Sequence, residues 1–283
     1  MESYIVIKPL NNNVVFAKTS DEREVVLVGK GIGFNRKAGT VLDASDSVAK
    51  VFVLDQGTEQ YKQLLLETDE QIMGVCEEFI YYVSQQLKDH LNEHIHIALT
   101  DHLAFAIKRL KQGMIIENPF AHEIQALYPE EYALAEKGAV FVEEELGIVL
   151  PVGELCFIAL HLHSARMNKD IGKSQKAAAL ISKLVAIIEA ELAIEINRHS
   201  IDYSRLITHL RYAIERTVSQ QALKEQHPLA ALLKKQFPLC YNLAWKLVKV
   251  LENDLMKTVP EAEISYLTIH LQRIVAQDTD DSH

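Results

Sequence analysis

At 283 residues, with 48% apolar and 24% charged side chains, the chain has the composition of a globular protein, which excludes a disordered, fibrous or low-complexity class. The length exceeds what one ordinary core serves, so two or three domains are expected. A formal net charge of −10 speaks against binding nucleic acid by bulk charge, and three scattered cysteines, Cys76, Cys156 and Cys240, fit a reducing, cytoplasmic setting.

Met1 to Leu10 lacks the basic start and apolar run of a signal peptide. The acidic surplus is not evenly spread. Residues 1 to 55 hold seven Lys plus Arg against seven Asp plus Glu, and Lys30, Arg36 and Lys37 cluster around a glycine-rich stretch. A local basic patch of this kind can bind phosphates on an acidic protein. Strand patterning runs through Tyr4 to Pro9, Val14 to Ala17, Glu24 to Val28 and Val48 to Leu54, with turn residues at Asn11-Asn12-Asn13 and Thr19-Ser20-Asp21. Four short strands make a sheet too small to be comfortably stable alone, so it is expected to dimerise or lean on another chain.

Gly29-Lys30-Gly31-Ile32-Gly33-Phe34 lacks the length and trailing Lys-Ser/Thr of a P-loop and does not fit the dinucleotide fingerprint. Alone it is a glycine-rich turn, just as Asn11 to Asn13 alone is a turn. Together they supply amides for base edges, glycines for close backbone approach, cations for phosphates and one ring, Phe34, for stacking.

Gln56 to Glu67 is expected to be a linker. From Thr68 the period becomes helical, and Thr68-Asp69-Glu70-Gln71 has the form of a capping box with Thr68 as cap. The longest apolar region, 177 to 196, is interrupted by Lys183, Glu189 and Glu191 and predicts a buried helix rather than a membrane span.

Asn118-Pro119-Phe120, Tyr128-Pro129, Tyr132, Pro151, Glu154 and His161 return as His227-Pro228-Leu229, Phe237-Pro238, Tyr241, Pro260, Glu263 and His270 at a constant offset of 109. His102 to Arg109 returns as His209 to Arg216 at an offset of 107. A period this long is a duplicated domain, each copy a bundle of about five helices.

One histidine beside an apolar helix stripe is ordinarily structural. Four of them, His102, His161, His209 and His270, occupy matched places in the two copies, which points to a shared chemical use. Arg109 and Arg216 follow His102 and His209 by two helical turns and are placed to meet an added phosphate. No metal site is expected, since His94-x-His96 and His161-x-His163 diverge on a helix and no His-Glu-x-x-His pattern occurs.

Leu10-Asn11-Asn12-Asn13-Val14 followed by Val28-Gly29-Lys30-Gly31-Ile32-Gly33-Phe34 resembles the N-terminal RNA-binding domain of the BglG/SacY/LicT family of transcriptional antiterminators. The duplicated helical part resembles that family's two regulation domains, targets of the sugar phosphotransferase system (PTS). The Gly-Lys-Gly-Ile-Gly-Phe wording and Leu99-Thr100-Asp101-His102 are most similar to the glucose-system subgroup. With the residue patterns, this gives an α+β chain: a small antiparallel β RNA-binding module at 1–57, a linker at 58–67, and duplicated all-α five-helix bundles at 68–171 and 172–283.

The resemblance implies a non-enzymatic regulator without a cofactor, acting as a homodimer that binds a leader mRNA hairpin and blocks an overlapping terminator ahead of sugar-uptake genes. RNA contacts carry over to Asn11, Asn13, Gly29, Lys30 and Phe34. Lys30 stands where some relatives carry Arg, and an ammonium cannot make that side chain's bidentate contact. Phosphorylation carries over to His102, His161, His209 and His270, with the EIIB domain of a sugar permease as donor to the first copy and the phosphocarrier protein HPr as donor to the second. Two alternatives make different demands. A DNA-binding activator with similar regulation domains needs a helix-turn-helix where strands are read, and a helical histidine-dependent hydrolase needs bound metal and turnover of a phosphate ester.

Overall fold

The computed structural model describes residues 3–43, 48–53, 58–87, 90–168, 170–221 and 227–281; Leu54, Gln56 and Gly57, named above as strand end and linker start, lie outside them. An antiparallel five-stranded sheet comes first: β1 (Ser3–Pro9), β2 (Val14–Thr19), β3 (Glu24–Val28), β4 (Val41–Asp43) and β5 (Lys50–Val53), ordered β4-β1-β2-β3-β5. The expected strands are present. The added one, β4, pairs Leu42 with Tyr4 and is too short for its alternation to register in the sequence.

Register divides the sheet's side chains between two cores. Phe16 faces Val26 and Val14 faces Val28, so Val14, Phe16, Val26 and Val28 share one face while Val15, Ala17, Val25 and Leu27 share the other. Ile32 and Leu42 close the second face. The first is closed by helices of the same chain: α1 (Thr58–Glu67) brings Tyr61 and Leu65, and α2 (Glu70–Gln86) brings Met73.

The segment read as a linker is therefore a helix with one face in a core. Its sequence gave little sign of this, because only Tyr61, Leu64, Leu65 and Leu66 are apolar and Leu66 is exposed. The cap of α2 is Asp69, which accepts from the Gln71 N–H at 2.8 Å, rather than Thr68. Tyr61 is fully buried, and its hydroxyl donates to Glu77 Oε1 at 2.7 Å. The other oxygen of Glu77 lies 2.6 Å from Nδ1 of His96, on α3 (Ile95–Lys111). Burial, then the facing carboxylate, pushes the Tyr61 hydroxyl far above its usual range, so it stays a donor.

The remaining helices are α4 (Ala121–Leu127), α5 (Pro129–Leu146), α6 (Val152–Met167), α7 (Ile171–Leu192), α8 (Ile201–Ser219), α9 (His227–Gln236), α10 (Pro238–Leu255) and α11 (Ala262–Asp281). Among the described residues each sequence copy thus yields five helices, α2–α6 and α7–α11. Pro129 and Pro238 each open a helix, where a missing N–H costs nothing. Two compact units result. Residues 1–119 and 130–171 form one; residues 120–129 and 172–283 form the other. Helix α4, which by sequence offset belongs to the first copy, packs within the second unit against α8, where Glu123 accepts from the Tyr203 hydroxyl.

Tyr61→Ala is expected to destabilise the first unit by about 3–5 kcal/mol, as for other large-to-small core changes. Hydrogen exchange at the β2 and β3 amides should accelerate while the amides of α10 stay protected.

Candidate functional site

Two constellations carry chemistry. In the first, the β1–β2 and β3–β4 loops are tied into one edge of the sheet. Asn11 Oδ1 accepts from the Asn13 N–H at 2.8 Å, and Asn13 Oδ1 accepts from the Gly31 N–H at 2.9 Å. The Gly29 N–H donates to the Asn13 carbonyl at 2.9 Å, and the Gly33 N–H donates to the Asn12 carbonyl at 3.0 Å. Gly33 must be glycine because a Cβ there would sit 2.0 Å from the Asn11 carbonyl oxygen. Gly31 adopts φ +72°, a left-handed conformation. Asn11, Asn13, Gly29, Lys30 and Phe34 thereby share one edge. Lys30 is exposed and Phe34 is 61% exposed.

The second constellation is built twice. In the first copy α3 and α6 pack together, α3 carrying His102 and Arg109 seven residues apart, α6 carrying Glu154, Phe157 and His161 on one face. Glu154 is wholly buried. Its Oε2 lies 3.1 Å from His102 Nε2, and its Oε1 accepts from Arg109 at 2.7 Å. The rings of His102 and His161 lie 5.0 Å apart, with Phe157 5.4 Å from His102.

The second copy repeats this between α8 and α11. Glu263 is wholly buried, 3.2 Å from His209 Nε2, and accepts two hydrogen bonds from Arg216, at 2.7 and 3.0 Å. The His209 and His270 rings are 4.7 Å apart, and Tyr266 takes the place of Phe157 at 5.7 Å. His209 and His270 open onto a cavity of ≈ 440 Å³ whose rim includes Arg205, Ser204 and Thr208.

Spacing had offered Arg109 and Arg216 to a phosphate. In this structure each is held by a buried glutamate. Those glutamates were visible in the sequence only as repeat landmarks, and the offset of 109 shared by Glu154 and Glu263 with His161 and His270 was the available signal. Burial pushes Glu154 up, but His102 and Arg109 outweigh it and hold the carboxyl below its usual range; Glu263 behaves likewise with His209 and Arg216. Nε2 is the ring nitrogen of His102 and of His209 that faces the buried carboxylate, at 3.1 and 3.2 Å, a charge contact rather than a formed hydrogen bond. Burial, reinforced by its partner histidine, drives His161 down to about 3 and His270 to about 4, so both are neutral at physiological pH. A neutral imidazole is the form that can accept a phosphoryl group.

Among the described residues no group of His, Cys, Asp and Glu side chains is arranged to hold a metal ion. No helix is long and apolar enough to cross a membrane.

Comparison with known proteins gives matches along the chain. The CAT RNA binding domain family matches residues 4–61, and the PRD domain family matches residues 77–165 and 182–274. The PtsGHI operon antiterminator of Bacillus subtilis (strain 168) is 46% identical over 274 residues, covering 96% of this chain and 97% of that one. Protein GlcT of Staphylococcus saprophyticus is 39% identical over 274 residues, with the same coverage of both chains. The crystal structure of GlcT CAT-PRDI is 48% identical, covers 58% of this chain and 98% of its own, and superposes with a TM-score of 0.50.

The histidine values set an acid limit. With His161 at about 3 and His270 at about 4 in the fold against 6.5 ordinarily, the unfolded chain binds more protons between those values. Their stabilising contribution is full above 6.5 and declines as pH falls toward 4 and then 3. Urea midpoints measured across this range should fall with acid, and His161→Gln plus His270→Gln should flatten that slope.

Proposed function

This chain belongs to the family of PTS-operon antiterminators that join a CAT RNA-binding domain to two PRD domains, and from that premise we propose that it grips a hairpin in leader mRNA as a homodimer, under the control of histidine phosphorylation. The glucose phosphotransferase genes are the proposed targets, because relatives of this chain include proteins named GlcT and PtsGHI operon antiterminator. It is a regulator rather than an enzyme.

One observation carries the regulatory reading: the paired histidines with their Glu–Arg support are kept in both copies of the duplicated domain, with the same partners at near-equal distances. A purely packing role gives no reason to retain in both copies a buried carboxylate that needs cationic partners. Phosphorylation of His102 adds about −1.5 to −2 charges, by analogy with phosphoserine. That group would be a second acceptor for Arg109, competing with Glu154. Two such groups about 10 Å apart across a dimer repel by about 1 to 7 kcal/mol for effective dielectric values between about 80 and 20, against about 5.5 kcal/mol needed to reverse a 1:99 equilibrium. Phosphate in the first copy thus opposes the dimer that presents the sheet edge to RNA, with the EIIB domain of a sugar permease as donor there and HPr as donor to the second copy. The second site differs in having Arg205 on its rim, where an offset of 107 puts Ala98 in the first. This cation favours a phosphoryl group at His209 or His270.

Two measurements test the reading. In a gel shift the full chain should retain a leader hairpin and not duplex DNA, and Phe34→Ala should weaken retention about 10- to 100-fold, the usual range for one lost base stack. Retention of duplex DNA instead would favour a DNA-binding activator. After incubation with a phosphoryl donor, mass spectrometry should place phosphate on His102 or His161 in the first copy and on His209 or His270 in the second; phosphate confined to other histidines would contradict the reading.

A further inference from the structure

The amides of Asn11 and Asn13 are not turned to solvent. Both Nδ2 atoms donate to one oxygen of Glu78 on α2, at 2.6 Å from Asn11 and 3.3 Å from Asn13. Their side-chain oxygens are used inside the loop edge, so the carboxylate takes the groups that remain to face a ligand.

One helical turn before Glu78, Gly74 leaves the notch that receives Asn11. A Cβ at position 74 would lie 2.4 Å from Asn11 Nδ2 and 2.6 Å from its Cγ. One turn earlier again, Glu70 pairs with Lys8 of β1 at 2.9 Å, and the Lys8 ammonium also donates to the Leu65 carbonyl. Positions 70, 74 and 78 recur every four residues and so form one stripe of the helix. It runs acid, gap, acid against cation and two amides on the sheet edge.

A carboxylate presents only acceptor oxygens, as do a phosphate and a base carbonyl. Glu78 is thus a chemical stand-in for RNA, and the helix backbone at Gly74 occupies the approach to Asn11. Core packing does not demand an acid here. Burial pushes the Glu78 carboxyl up, the Asn11 and Asn13 amides oppose it, and Glu145 adds to the rise, so the carboxylate is held against a desolvation cost. The hydrophobic closure of the sheet by Tyr61, Leu65 and Met73 needs none of these polar contacts.

We propose that the Glu70–Gly74–Glu78 stripe of α2 is an intramolecular docking surface for the RNA-reading edge, competing with RNA for Asn11 and Asn13, so that this conformation is a closed one. The inference rests on the assignment of those asparagines to RNA binding. The regulation domain then acts directly on the reading edge, in addition to any effect through dimerisation.

The test is fluorescence anisotropy on the full chain with a fluorescein-labelled, bulged RNA stem-loop selected for binding the wild-type protein. Glu78→Ala should bind about tenfold tighter, and Glu78→Gln, which keeps volume and helix but loses the charge, about threefold tighter, if removing one charge-assisted contact has its usual effect. Circular dichroism melting confirms folding, and the Gln variant serves should the Ala variant melt early. Unchanged or weaker affinity in folded Glu78→Gln, with Phe34→Ala still weakening binding, overturns the closed state and leaves the RNA reading standing. Failure to select any stem-loop, with the wild type or with either Glu78 variant, overturns the RNA reading itself, and the closed state falls with it.

Discussion

Three glutamates with no exposed surface organise this protein, and each is tolerated for the same reason. Removing a carboxylate from water is costly unless it is paired, and a carboxylate so paired constrains whatever pairs with it. Glu77 joins Tyr61 to His96, Glu154 joins His102 to Arg109, and Glu263 joins His209 to Arg216. The first ties the β module's covering helix to the first bundle. The other two each hold an arginine and face a histidine of the neighbouring helix. Structure and chemistry here share one device: a desolvated anion with two obligatory partners.

The β module illustrates how a small sheet is completed. With Val14, Phe16, Val26 and Val28 on one face and Val15, Ala17, Val25 and Leu27 on the other, both faces are apolar, and only one is closed from within the module. The second cover comes from α1 and α2 of the same chain. That packing lays the polar stripe of α2 along the loop edge, which couples the edge to the first bundle by contact rather than by a loose tether.

Duplication preserved the buried constellation and relaxed its surroundings. Glu, Arg and both histidines recur, whereas Phe157 becomes Tyr266 and Ala98 becomes Arg205. Buried charge tolerates little substitution because removing one partner strands the other, while rim positions face water and are free to differ. Two sites of one design can therefore present different surfaces to solvent.

Much of this was legible in the chain itself. Alternation marked four of the five strands, a constant offset exposed the duplication, and the Asn and Gly-Lys-Gly-Ile-Gly-Phe segments identified the loops that share an edge. These are local patterns, set by backbone periodicity and by residue types with narrow conformational use. What remained hidden depends on pairs far apart in sequence. That Glu154 holds Arg109 and faces His102, that residues 58–67 form a packed helix, that Gly33 yields to the Asn11 backbone, and that Glu78 meets Asn11 all follow from packing. A side chain's type states what it can bind, but only the folded geometry, which decides what is desolvated beside it, selects the partner it takes.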